Sequence, residues 1–229
     1  MVEVPPAGRH RATIIWLHGL GADGHDFEPI VPALRLPGSL GVRFLFPEAP
    51  FRPVTINGGM EMRAWFDIAS VQRDTGVNRE HLAESVAGVR SLVELEAERG
   101  IPPDRLVLAG FSQGGAVVLQ AATCAGSAGE PPLRPAGVVA LSTYLPVTES
   151  VAPPPEPPTP IFQAHGSFDP LIPVHFAGVS GRALTKVGWT VEYHEYPMAH
   201  QVAEAEIRDI GIFLRRVLEA SFARSDLST

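Results

Sequence analysis

The stretch Leu106-Val107-Leu108-Ala109-Gly110-Phe111-Ser112-Gln113-Gly114-Gly115-Ala116-Val117-Val118-Leu119-Gln120-Ala121-Ala122-Thr123-Cys124 carries most of what can be read about the fold. It opens with a short apolar run of strand character and closes with a segment, Gln113–Cys124, that is apolar nearly all round like a buried helix. Between them, residues 110–114 fit G-x-S-x-G. Alone, that pattern is weak, since a glycine-rich turn can hold a serine by chance. A strand running in and a helix running out change its weight. That arrangement forces the serine onto a strained turn at the top of a sheet, and the flanking glycines let strand and helix approach closely.

Working outward, short apolar runs alternate with segments of helical period. Strands are expected at Thr13–Leu17, Val42–Phe46, Leu106–Ala109, Val138–Leu141, Ile161–Ala164 and Thr190–Tyr196. Several are continuous apolar runs, as in strands buried on both faces. Helices are expected at Glu80–Arg99, stopped by Gly100 and Pro102, at Gln113–Cys124 and at Glu204–Ala220, with His175 opening a further helical segment. The pattern predicts an α/β fold with a mostly parallel central sheet flanked by helices, in one domain over residues 1–229.

Two segments break the alternation. Pro47–Val77 has no clear helix or long strand, yet Phe51, Met60, Met62, Trp65 and Phe66 make it too apolar for disorder. We expect a packed loop with at most a short hairpin, flanking a binding pocket. Residues 146–160 carry six prolines from Pro153 to Pro160, which rules out a crossover helix and predicts an extended, exposed connector.

A serine hydroxyl needs a base, and the base an orienting carboxylate, in the chain order Ser, acid, His for this fold. Asp169 follows the strand Ile161–Ala164, where α/β sites are built, although an Asx turn before Pro170 would explain it equally. His165, His175, His194 and His200 remain downstream. His200 lies in the loop between the last strand and the last helix, from which an imidazole can reach across the sheet edge. It is the expected base, with a helix-capping surface histidine as its alternative. One oxyanion donor is expected from the backbone N–H of Gln113 and a second from the glycine-rich turn His18–Gly24. That turn lacks the lysine of a phosphate-binding loop.

The joint pattern of His18-Gly19-Leu20-Gly21 with Asp23-Gly24, Trp65-Phe66-Asp67, Gly110–Gly115, His165-Gly166 with Asp169 and Pro173, and finally His200 resembles the phospholipase/carboxylesterase family, which includes acyl-protein thioesterases. The likeness runs from about Thr13 to Leu218. It implies an α/β-hydrolase with a minimal cap, Ser112, Asp169 and His200 as catalytic triad, and the N–H groups of Leu20 and Gln113 as oxyanion hole. Ala199, where glycine is common, and the long proline stretch depart from the family pattern.

The expected activity is hydrolysis of carboxylic esters with short to medium acyl chains through an acyl-enzyme. Acyl-protein thioesterase or lysophospholipase action is the alternative. A catalytically silent ligand-binding α/β-hydrolase is the reading from another class, and it meets the objection that no triad member is missing. Trp65, Phe66, Leu171 and Ile172 are the expected pocket residues, being apolar and near the sheet edge that presents Ser112. No metal and no cofactor is expected, since there is no H-E-x-x-H and Cys124 is the only cysteine.

A formal charge of −7 gives the surface no bulk attraction for nucleic acid. No apolar run is long enough to span a bilayer, and the first eleven residues lack a leader pattern. The expected setting is therefore cytoplasmic, as a monomer or homodimer, with a small-molecule or acylated-protein substrate.

Overall fold

The computed structural model describes residues 1–70, 76–126 and 129–226. In chain order its elements are β1 (Val2–Val4), β2 (Ala12–Leu17), β3 (Val42–Phe46), β4 (Phe51–Val54), β5 (Met60–Arg63), α1 (Arg79–Glu98), β6 (Leu106–Phe111), α2 (Gln113–Thr123), β7 (Gly137–Leu141), β8 (Ile161–Gly166), α3 (Val174–Val187), β9 (Val191–Tyr196) and α4 (Glu204–Asp226). Seven strands form one sheet in the order β1-β3-β2-β6-β7-β8-β9, with β1 antiparallel and the rest parallel.

The pleat explains the apolar runs. In β2, Ile15 and Leu17 enter the core shared with α1 and α2, while Ile14 and Trp16 enter the core shared with α4. Both sets are buried, so every position of the strand is apolar or small. Phe213, Leu214 and Leu218 bring α4 onto the second face, and Leu82, Val86, Val89 and Val93 bring α1 onto the first. The helices thus cover both faces, as the alternation predicts.

The order of the strands fixes where a site can form. From β2 the chain moves outward to β3, and from β6 it moves the other way to β7. The carboxyl ends of β2 and β6, paired at Leu17 and Gly110, therefore diverge into a crevice. The turn His18–Gly24 and the Ser112 elbow open into it.

The two irregular segments are more built than their sequences suggest. Pro47–Val77 contains the hairpin β4–β5 and a bridge between Ile68 and Val77, with residues 71–75 outside the described part. The proline-rich segment is exposed at Pro153 and at 156–158 but is tied down on either side. Val151 bridges Cys124, Trp189 Nε1 donates to Ala152 O at 2.8 Å, and Thr159 Oγ1 donates to Pro135 O at 2.9 Å. Proline removes donors from the segment but not its carbonyls, so neighbours can still anchor it.

Candidate active site

Ser112 sits at φ 52°, ψ −118°, a conformation a side-chain-bearing residue adopts only when its surroundings enforce it, at a strain of roughly 1–3 kcal/mol. Three hydrogen bonds hold it there. Its N–H donates to Leu141 O at 2.8 Å, and its carbonyl accepts from Thr143 Oγ1 at 2.7 Å and from Ala116 N at 3.1 Å. Glycine at 110 and 114 is required by contact. A Cβ on Gly110 would lie 2.5 Å from the Gly114 backbone, and one on Gly114 would lie 2.5 Å from the carbonyl oxygens of Leu17 and His18.

Folding brings Ser112, His200 and Asp169 into one chain of hydrogen bonds. His200 Nδ1 lies 2.7 Å from Asp169 Oδ2, and Nε2 lies 2.9 Å from Ser112 Oγ. An ionised carboxylate only accepts, so Nδ1 carries the proton, and Nε2 is left to accept from the serine hydroxyl. Asp169 is fully enclosed through its side chain, and its other oxygen accepts from Leu171 N and Ile172 N, both at 2.9 Å. The Asx turn considered as an alternative for Asp169 thus exists, and the same carboxylate also reaches the imidazole. His200 is not a helix cap.

His165, weighed in the sequence as a base, is buried one layer further in. Its Nε2 donates to Ile172 O at 2.7 Å and lies 3.3 Å from Asp169 Oδ2. Burial holds its imidazole below the usual histidine range, and Nδ1 has no partner. A ring facing a carbonyl and a carboxylate with one nitrogen must carry its proton there. His165 therefore anchors the turn that holds Asp169. In the sequence it was marked by its place four residues before Asp169 and by the His165-Gly166 pair of the family pattern.

The turn after β2 is fixed by interactions that sequence patterns do not reveal. The buried His18 ring donates from Nδ1 to Gly19 O at 2.7 Å and accepts from Ala49 N at Nε2, 3.1 Å away. Burial lowers its pKa and favours this neutral form. Gly21 N donates to Arg63 O at 2.8 Å, linking the turn to the hairpin. The backbone N–H groups of Leu20 and Gln113 make no hydrogen bond among the described residues, and both residues line one cavity with Ser112. Such an arrangement can receive an acyl carbonyl whose oxygen becomes an oxyanion.

That cavity, of about 400 Å³, is lined by Phe66, Leu171 and Ile172 together with Ile56, Ile68 and Tyr144. Trp65 is a correction. It does not line the cavity but is buried behind it, with Nε1 donating to His18 O at 2.9 Å. The indole N–H needs a partner when buried, and the nearest one supports the turn and not the substrate. Among the described residues no group of three or more His, Cys, Asp or Glu side chains is placed to hold a metal ion, and no helix is long and apolar enough to cross a membrane.

Comparison with known proteins agrees with this architecture. The family model described as Phospholipase/Carboxylesterase matches residues 2–218. Acyl-protein thioesterase 1 of Neurospora crassa is 36% identical over 98% of this chain and 96% of its own. Among solved structures, acyl-protein thioesterase 2 of Zea mays superposes with a TM-score of 0.82 at 30% identity, covering 95% of this chain and 98% of that one. The carboxylesterase of Bacillus cereus, at 16% identity and a TM-score of 0.74 over 94% and 93% of the two chains, shares the fold.

Proposed function

The chain belongs to the phospholipase/carboxylesterase family, a serine hydrolase acting on esters or thioesters, and from that premise we propose how its residues divide the work. Ser112 Oγ attacks the acyl carbon while His200 Nε2 takes its proton. Asp169 holds the imidazole in the productive tautomer and stabilises the imidazolium that forms. The N–H groups of Leu20 and Gln113 receive the oxyanion. The proton on Nε2 then passes to the departing oxygen or sulfur, leaving an acyl-Ser112 intermediate. A water, activated by the same imidazole, releases the acid.

The observation that carries this reading is the relay from Asp169 Oδ2 through His200 to Ser112 Oγ, at 2.7 and 2.9 Å, ending in an apolar cavity beside two unbonded N–H groups. The proposed substrates are carboxylic esters of short to medium acyl chains, because among the described residues no large cap covers the 400 Å³ cavity to enclose a long one. Thioester cleavage is supported by the relatives named acyl-protein thioesterases. The lone, buried Cys124 fits a reducing compartment such as the cytoplasm.

Oxygen and thiol esters compared in parallel across acyl lengths test the reading. It predicts a rise in kcat/KM with chain length that stops at medium chains for both leaving atoms. A steady rise through long chains, or turnover of thioesters alone, would contradict the proposed substrate range.

A further inference from the structure

Among the described residues that line the cavity, one is acidic, Asp26. In ester hydrolysis the leaving oxygen takes its proton from the base, so the alcohol departs on the side of His200. That side is built on Phe111, whose ring lies 4.8 Å from the His200 ring by centroids. Phe111 also contacts Phe27 at 5.5 Å, and the residue immediately before Phe27 is Asp26, which lines the cavity. Phe66, Ile68, Leu171 and Ile172 line the same cavity with apolar side chains.

Asp26 stands without compensation. Among the described residues its carboxylate makes no hydrogen bond and no ion pair, and no lysine or arginine lines the cavity. The nearest charged groups do not neutralise it: Asp23 is of like sign, and His18 is kept neutral by burial. Partial desolvation raises the Asp26 carboxyl above its ordinary range, although the residue as a whole is exposed. A carboxylate and an aromatic ring lining one cavity are the chemistry that recognises an organic cation, by Coulomb attraction and by the ring quadrupole.

We propose that the leaving-group side of the cavity selects alcohols and thiols that carry a positive charge, with Asp26 as the specificity-determining carboxylate and Phe111 as the ring on which the cation rests. The same carboxylate repels anionic leaving groups. The assignment rests on the roles of Ser112 and His200 given above, since those roles define which side the alcohol occupies.

A matched pair of substrates tests it: a choline ester and the 3,3-dimethylbutyl ester of the same acid, equal in shape and different by one charge. At about pH 8, where carboxylates are ionised, the wild type should prefer the choline ester by about fivefold or more in kcat/KM. Asp26→Asn should bring that ratio to about one, with turnover of the neutral ester within about twofold of wild type. Raising the salt to about 0.5 M should shrink the preference in the wild type and not in the variant. A wild-type ratio near or below one, or a ratio unchanged in Asp26→Asn, would overturn the proposal while turnover of the neutral ester left the hydrolase reading intact. Binding of tetramethylammonium against neopentyl alcohol by saturation-transfer NMR gives a second readout that needs no turnover. Equal binding of the cation by wild type and Asp26→Asn would also overturn it.

Discussion

Gln113 accepts the backbone proton of Trp65 on its side-chain oxygen at 2.7 Å, and its amide nitrogen donates to the next carbonyl, Phe66 O, also at 2.7 Å. The residue that follows the proposed nucleophile, Ser112, therefore lines the cavity and uses its side chain to clamp the segment that walls it. Trp65 in turn holds His18 O, and Ser85 Oγ caps Trp65 O. Both halves of the proposed oxyanion site are tied to one buried segment.

Truncating that clamp should be expensive. Gln113→Ala leaves the buried Trp65 N–H and Phe66 C=O without partners, at about 1–3 kcal/mol each. Chemical denaturation should show a loss of about 2–4 kcal/mol, with kcat reduced because the Leu20 turn loses its support. A variant with wild-type stability and kcat would show that the clamp is dispensable.

His165 should act through Asp169. His165→Phe keeps a ring but removes the donor to Ile172 O, so kcat should fall about tenfold or more with little change in KM. His165→Gln, whose amide can still donate, should recover part of that loss. Equal kinetics in both variants and wild type would remove any positioning role.

The pocket wall and the residue behind it should separate in their effects. Leu171 lines the cavity and is largely exposed, so Leu171→Ala should shift the preferred acyl length, each lost methylene contact changing kcat/KM by up to about 0.8 kcal/mol. Trp65→Phe removes the donor to His18 O, and should lower kcat while leaving chain-length preference unchanged. The reverse assignment of effects would return Trp65 to the pocket wall.

Stability should carry a pH signature from Glu206, at the start of α4. This side chain is buried, one oxygen accepts from Ala203 N at 3.2 Å, the other has no partner, and burial pushes its pKa up to about 8. The unfolded chain ionises there near the ordinary glutamate value, so between that value and about 8 the folded state holds a proton the unfolded state has lost. Its contribution is therefore complete at acid pH and is lost as pH rises, by at most about 1.4 kcal/mol per pH unit. Glu206→Gln should flatten this slope and be more stable than wild type at about pH 9. Parallel stability curves for the two proteins would contradict the assignment.

The fold was legible in the sequence where one residue type has one cause. The buried parallel strands read as apolar runs, and β2, β3, β6, β7, β8 and β9 lie within two residues of their expected ends. Edge and surface elements were not legible. β1 is three residues long between prolines and the amino terminus, and β4–β5 has exposed Phe51 and Met60 instead of a period-two pattern. At the site, Ser112 was marked by its elbow, whereas Asp169 and His200 were reached from chain order, their place at strand ends and the family resemblance. The Gln113 clamp and the retreat of Trp65 depend on where the segment 64–67 is laid against α2, and no local pattern encodes that.

The most direct measurement is the site of reaction with a fluorophosphonate, which forms a stable adduct only with an activated serine. Mass spectrometry of the labelled, digested protein should place one adduct on Ser112. Ser112→Ala should take no label, keep its fold and lose about four orders of magnitude or more in kcat. A folded wild type that refuses the label, an adduct on another residue, or near-wild-type turnover in Ser112→Ala would contradict the account.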